Sequence, residues 1–408
     1  MNNVNGLTVS VVFKSGAVNR DEKIGGSIAS IKKLTREGRS YSFLSRPFLR
    51  HQLFQHLRYK GWIESPVEPQ KEVIQFRFPY ANIVTHAEMD YFGYMMTNPF
   101  TITRKHTLGM TKAIALNEWG GNMAFYANHN MVRRASEAGF NADPNPYSRE
   151  EDDNYYLVTY TFDLPRMGYE EVKISISSKK SSSETGEEED MADKQQKRKA
   201  KKESKENPVD FLYQWMRPLT EERPVKVDEI KRRIKRPYIA QKEEIEKLKW
   251  YELTPEKDRN GTVPGYVGFE FSLDDVKDMS KLEKELKKSS GIKVVFAVTD
   301  GEYINRLRNV LEAIDSGYML DASGECYSST PVFAIAAALQ VPVPLFDSAI
   351  AVDKGLVRAN DLNSLTGKSL VEKVWCEERA MRLDGELEKR EKDWNVEEMV
   401  KIACGWSQ

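Results

Sequence analysis

Residues Leu7–Lys14 constrain the fold more than any other stretch. Leu7, Val9, Val11 and Phe13 alternate with Thr8, Ser10, Val12 and Lys14. That is the period of a β-strand, whose successive side chains point to opposite faces. One set is wholly apolar and the other more polar, so the pattern predicts a half-buried strand. A helix comes next. Ser45 is a good N-cap, Pro47 suits the first turn, Gly61 suits the position past the end, and Leu49, Leu53, Phe54 and Leu57 form an apolar stripe. Between strand and helix, Ser15–Ser40 reads as a loop rich in Gly, Ser and basic residues, with Asn19-Arg20-Asp21-Glu22 and Gly25-Gly26 inside it.

Farther along, Val73–Phe78 reads as a strand and Ala81–Ala115 as irregular. Two alternating runs, Tyr155–Leu164 and Glu171–Ser177, flank Pro165-Arg166-Met167-Gly168 and predict a β-hairpin. Ser178–Asn207 has Met191 as its only large apolar residue, between the acidic Glu187–Asp190 and the mostly basic Lys197–Lys202. It reads as a weakly ordered surface insertion. Charged helices are expected around Asp228–Arg236, Lys242–Trp250 and Asp274–Lys288. Ile292–Thr299 should be a buried strand, Glu302–Ser316 a helix, Gly355–Gly367 a loop and Lys368–Lys392 a highly charged helix. The order fits an α+β fold of the ferredoxin-like or RNA-recognition-motif type with large insertions.

At 408 residues, 40% hydrophobic and 30% charged, a soluble globular chain is the default class. The longest apolar runs, such as Val332–Leu339, are too short to cross a bilayer, and the start Met1-Asn2-Asn3 does not resemble a signal peptide. Cys326, Cys376 and Cys404 are odd in number and far apart, which suits neither a disulfide framework nor a metal cage and points to a reducing cytoplasm. Net charge is −1, yet residues 1–60 hold eleven Lys or Arg against three Asp or Glu, a local +8. The balancing acid lies in 221–290 and 371–398. Such asymmetry marks either a basic groove or a set of solvated surface cations.

Arg46 and Arg50 fall on the same angular stripe as Leu49, Leu53 and Leu57. Cations there are unexpected, and Arg46 also occupies the first turn, where the helix dipole disfavours positive charge by a few tenths to ~1 kcal/mol. A bound phosphate explains both, since a helix start offers N–H groups to an anion and two guanidinium groups can grip its oxygens. Ser45 and His51 could add donors. The competing reading has both arginines snorkelling from the edge of the core or paired with acids elsewhere.

Leu7–Lys14, Gly16-Ala17-Val18-Asn19-Arg20-Asp21-Glu22 and Tyr41-Ser42-Phe43-Leu44-Ser45-Arg46-Pro47-Phe48-Leu49-Arg50 together resemble the opening of the CRISPR-associated backbone subunits of type I Cascade. These are group-seven proteins of the repeat-associated mysterious protein superfamily. Ala87–Met95, Thr103-Arg104-Lys105 and Thr111–Leu116 resemble the DevR-type branch, associated with type I-B systems. The likeness is clear over about the first 120 residues and diffuse afterwards.

The resemblance implies a hand-shaped single domain over 1–408. Its ferredoxin-like palm would lie at about 1–64, 154–177 and 290–345, with finger and thumb insertions at about 65–153 and 178–289 and a charged C-terminal helix at 368–392. It implies copies stacked head-to-tail into a helical filament along CRISPR RNA, with other Cascade subunits as companions. Base pairing would read target DNA while the protein holds backbone. By position, Asn19, Arg20, Ser45, Arg46 and Arg50, with His51 beside them, sit where the family contacts guide phosphates. Many relatives carry Gln at the place of Arg46 and Lys at that of Arg50. Arg104, Lys105 and Lys112 fall in the inserted region and are candidate backbone contacts. The thumb hairpin falls at Pro165–Gly168 or in the insertion after Ser177.

No enzyme activity, metal or cofactor is expected. The alternative is a metal-dependent target-RNA endoribonuclease of the type III backbone kind, with Asp21, Glu22 and Asp90 as candidate acids. His51, His56, His86, His106 and His129 show no zinc spacing and no evident acid–base pair. Gly25-Gly26 lacks the context of a nucleotide-binding loop. Phe92 and Tyr94 are expected in the core rather than stacked on bases.

Overall fold

The computed structural model describes residues 4–20, 28–70, 73–174, 208–219, 224–253, 264–276, 278, 280–281, 283–284, 291–322, 324–391 and 394–405. In it the alternating N-terminal stretch becomes β1, Gly6–Gly16. It is not half-buried: Thr8 and Ser10 are as fully buried as Val9 and Val12, each at 0% exposure. The reason is its place in the sheet. β1 runs antiparallel to 153–163 on one side and to 331–339 on the other. The face carrying Val12 is roofed by Phe346, Ile350, Val357, Leu362, Met381 and Leu387. The buried hydroxyls are satisfied in place: Ser10 Oγ lies 2.7 Å from Thr159 Oγ1, and Thr8 Oγ1 donates to the Tyr160 carbonyl at 3.4 Å. Satisfaction matters because an orphaned buried hydroxyl costs about 1–3 kcal/mol.

The sheet has eight strands, in the order 371–378, 331–339, 6–16, 153–163, 113–115, 39–44 and 33–36, with 108–110 also on 153–163. It belongs to the first of two compact units, Met1–Trp62, Leu108–Leu164 and Arg306–Gln408. The second unit is Ile63–Thr107 and Pro165–Asn305. Its antiparallel sheet runs 169–174, 292–298, 265–269, 249–253. Tyr169, Ile230, Ile234, Ile239, Ile245, Trp250 and Val295 pack together in its core. The fold is thus mixed α/β, with several antiparallel sheets.

Several elements depart from the sequence reading. The predicted helix 368–392 is instead strand Val371–Glu378, antiparallel to 331–339 with a register shift between Ala338 and Leu339. That shift breaks the alternation of the buried Val371, Val374 and Cys376, so the stretch does not look like a strand. The terminal helix is Val396–Ala403, capped by Asn395, whose side-chain oxygen accepts from the Glu398 amide at 3.0 Å. Gly355–Gly367 holds a helix, Ala359–Thr366. Its start is capped from far away, the Ala359 amide donating to Asp384 Oδ1 at 2.6 Å, so no local signal announces it.

Tyr155–Leu164 and Glu171–Ser177 do not form a hairpin. Strand Asp153–Asp163 pairs with β1, whereas Tyr169–Ile174 pairs with 292–298 in the second unit. The placement of a thumb at Pro165–Gly168 falls with it, because this turn joins two units instead of two paired strands. The alternative place after Ser177, and the surface insertion Ser178–Asn207, lie outside the described residues, as does about half of Asp274–Lys288. Lys242–Trp250 is only briefly helical, at Glu244–Lys247, before strand Lys249–Leu253. The expected loop Ser15–Ser40 contains an antiparallel ribbon, Lys33–Arg36 with Arg39–Leu44. Glu37 and Gly38 turn it with φ of 51° and 78°, as a tight hairpin loop requires.

Candidate nucleic-acid interface

In the first unit, strand Arg39–Leu44 runs straight into α1, Arg46–Tyr59. Leu49, Leu53, Phe54 and Leu57 are buried, as the stripe requires. The junction is built by three local contacts. Ser45 Oγ accepts from the Phe48 amide at 3.4 Å, Asn19 Oδ1 accepts from the Ser45 amide at 2.8 Å, and the Leu49 amide bonds to the Ser45 carbonyl at 3.0 Å. Pro47 has no N–H. The helix mouth therefore offers an anion the Arg46 amide rather than a full set of donors. No acidic residue occupies this first turn.

Arg46 and Arg50 are half-buried and His51 is exposed. Among the described residues Arg46 pairs with no carboxylate. Lys112 is exposed, with its Nζ 5.1 Å from the centre of the Phe43 ring. Ile114 is the register partner of Phe43 and Ala113 that of Leu44, so Lys112 lies beside the strand that delivers the chain to α1. The structure thus brings Asn19, Ser45, Arg46 and Arg50 to one junction, with Lys112 just before the adjoining strand Ala113–Ala115.

Arg20 is differently placed. Its side chain is 9% exposed, and its guanidinium pairs with Glu151 Oε2 and Glu325 Oε2, each at 3.0 Å. Asn19 acts in the same loop through its amide oxygen, as a clamp on the backbone of Ser45. The Asp21-Glu22 pair lies outside the described residues.

Arg104 and Lys105 belong to the second unit. Arg104 is 5% exposed and holds Asp90 Oδ1 with Nη2 at 2.6 Å, while Asp90 is itself 2% exposed. It also donates to the Tyr169 carbonyl at 3.1 Å and the Arg166 carbonyl at 2.8 Å. Both Nη atoms are therefore engaged within its own unit, and Nε is buried without a partner among the described residues, so burial keeps the fork from a phosphate. Lys105 is exposed. Phe92 and Tyr94 are buried, as expected for core aromatics. Asp90, sealed against Arg104, is poorly placed to hold a hydrated metal. Among the described residues no group of three or more His, Cys, Asp or Glu is arranged to hold a metal ion.

The ribbon 33–44 adds cations that the sequence reading passed over. Arg36 and Arg39 are exposed and sit opposite each other at its tip. Arg39 reaches Glu118 only at 3.9 Å, with both side chains largely exposed, an interaction of little strength. Six strand residues separate the tip from α1, a span of about 20 Å. The ribbon escaped notice because Glu-Gly is not one of the usual two-residue hairpin signals, which favour Asn-Gly or Asp-Gly.

Comparison with known proteins adds a family. The model described as "CRISPR-associated negative auto-regulator DevR/Csa2" matches residues 7–360. No curated protein matches. Among solved structures, a chain of a "CRISPR RNA-guided surveillance complex" shares 10% identity over 98% of this chain and 99% of its own, with a TM-score of 0.43. A chain of a pre-nicking surveillance complex shares 9% identity over 98% and 100%, with the same TM-score of 0.43. A chain of a "Type IV-B CRISPR Complex" shares 12% identity over 38% and 71%, with a TM-score of 0.23.

Proposed function

Because the chain belongs to the CRISPR-associated DevR/Csa2 family, we propose that it binds a CRISPR guide RNA along its sugar–phosphate backbone, as a non-catalytic subunit present in several copies in a type I-B Cascade complex. The observation that carries this reading is Arg46, a half-exposed cation in the first turn of α1 that no carboxylate neutralises among the described residues. A guanidinium in that position lacks the electrostatic partner its surroundings would normally supply. A phosphate is such a partner, with the Arg46 amide beside it.

Arg46, Arg50, Ser45 and His51 form the proposed grip, with Lys112 alongside and Asn19 fixing the backbone of the junction. Lys105 is a further candidate contact in the second unit. Arg20 and Arg104 are proposed as scaffold, not as phosphate contacts, because their carboxylate partners already satisfy them. A ferredoxin-like palm is supported by the central position of β1 between two antiparallel neighbours. The protein reads backbone and charge, and the guide's bases pair with target DNA. Head-to-tail contacts between identical copies that do not close would give an open helical filament. Among the described residues no helix is long and apolar enough to cross a membrane. The cytoplasm is the proposed compartment.

The test is a binding titration of the full-length protein with guide RNAs of unrelated sequence over a range of salt. Arg46→Ala with Arg50→Ala is expected to weaken binding to every guide alike and to flatten the salt dependence. Unchanged affinity at physiological salt would overturn the phosphate site. Migration with RNAs of increasing length tests assembly, a stepwise ladder being expected of a filament.

A further inference from the structure

The second unit contains a charge imbalance that its fold must resolve. Two carboxyl groups, Asp90 and Glu170, share one guanidinium, Arg104, and the three side chains are 2%, 6% and 5% exposed. Asp90 takes the greater share. Its Oδ1 accepts from Arg104 Nη2 at 2.6 Å, and its oxygens accept from the Gly168 amide at 3.1 and 2.9 Å. Glu170 receives less. Arg104 Nη1 stands 3.9 Å from its Oε1, beyond hydrogen-bonding reach, and the Tyr94 hydroxyl donates to Oε1 at 3.1 Å. Its Oε2 is buried with no hydrogen-bond partner among the described residues.

Beside Arg104, the Arg166 charge reaches Glu170 only as the weakest of the influences on its carboxyl, and among the described residues no other cation forms an ion pair with it. Strand 292–298 places Phe296 directly opposite Glu170. Phe78 packs against both Tyr94 and Phe296, at ring centroid distances of 5.7 and 5.8 Å. Lys293, on that same strand, pairs with Glu171 at 3.2 Å. Arg166, in the turn before the strand, donates to the Lys105 carbonyl at 2.8 Å. Arg104 Nη1 and Nη2 also donate to the Tyr169 and Arg166 carbonyls, which fastens the turn 165–168, while its Nε is buried with no hydrogen-bond partner among the described residues.

We propose that Glu170 enters the fold as a neutral carboxylic acid, so that the second unit is locked by a proton and loosens when that proton leaves. A buried carboxylate without a full cationic partner is strongly disfavoured. Burial pushes this carboxyl up to about 7, with the Arg104 charge and the Tyr94 hydrogen bond only partly offsetting it. Once ionised, Glu170 competes with Asp90 and the two carbonyls for one guanidinium, and the anchoring of the 165–168 turn is what it draws on. Linkage sets the sign. The folded state holds this proton more tightly than an unfolded glutamate, so the stabilisation is complete below the unfolded value and is lost as pH rises through the folded one.

Denaturant unfolding of the full-length protein and of Glu170→Gln across pH 5 to pH 8.5 tests this. The folding equilibrium constant of the native protein relative to the variant is expected to fall about fortyfold between pH 5 and pH 7, most steeply midway, and to level off above. Tyr94→Phe removes a bond that favours the ionised form and should extend the fall to higher pH. A native-to-variant ratio that stays flat with pH would overturn the proposal. Should Glu170→Gln not fold, glutamate carboxyl groups labelled with carbon-13 in the native protein give an independent reading. One resonance is expected to titrate near neutrality, and titration of every glutamate in the ordinary carboxylate range would equally overturn it.

Discussion

Arg46 and Arg104 invite comparison because both are cations in segments where a polynucleotide contact was expected. In the second unit, Arg104 lies inside the protein, its fork divided between Asp90 and two carbonyls. In the first, Arg46 is half-exposed at the start of α1, with no acid in that turn. One guanidinium holds its own chain together, and the other meets no carboxylate among the described residues. The difference comes from the acids each meets in three dimensions, 14 residues away for Arg104 and Asp90. A motif in sequence identifies which cations matter but not whether their charge is still available.

The comparison breaks most visibly under substitution. Arg104→Ala leaves Asp90 buried and unpaired, and about 3–5 kcal/mol of stability should be lost in denaturant unfolding of the full-length protein. Asp90→Ala should cost a similar amount, and the double variant less than the sum of the two. If Arg104→Ala were instead neutral for folding but damaging to RNA binding, the roles of the two arginines would be reversed. Arg46→Ala with Arg50→Ala should behave in the opposite way. Stability should change by no more than about 1 kcal/mol, while the slope of log affinity against log salt should drop by about 1.4, near 0.7 for each single-strand phosphate no longer neutralised. Asn19→Ala should act between the two, removing the acceptor for the Ser45 amide. About 1 kcal/mol of stability is expected to go with it, with some weakening of affinity as the helix mouth loosens. Lys112→Ala should do least, lowering the salt slope by about 0.7 and leaving the unfolding midpoint unchanged.

Much of the junction was legible in the sequence because its signals are local. Ser45, Pro47 and the leucine stripe specify α1 through contacts within four residues, and the structure has that helix. The strand Ile292–Val298 and the helix Asp300–Ser316 were equally plain from their own apolar patterns. What stayed hidden depends on distant partners. β1 looks half-buried because nothing nearby shows that residues from Phe346 to Leu387 roof its second face. The same distant segment was misread as the helix 368–392, so the two errors share one cause. Arg20 shows the same limit in the site itself: Glu325, one of its partners, lies 305 residues along the chain.

The order of strands in the large sheet also bears on how the chain is made. β1 is zipped along its whole length to 153–163 and over Gly6–Phe13 to 331–339, and the last of these is completed by 371–378. A ribosome delivers the first strand early, yet its second neighbour emerges more than 300 residues later. During that interval one hydrogen-bonding edge of a strongly apolar ribbon has no native mate, the kind of edge that invites mispairing. Truncation before residue 339 should therefore do more than shorten the protein: it would leave the emerging chain with a sticky seam and no means of closing it.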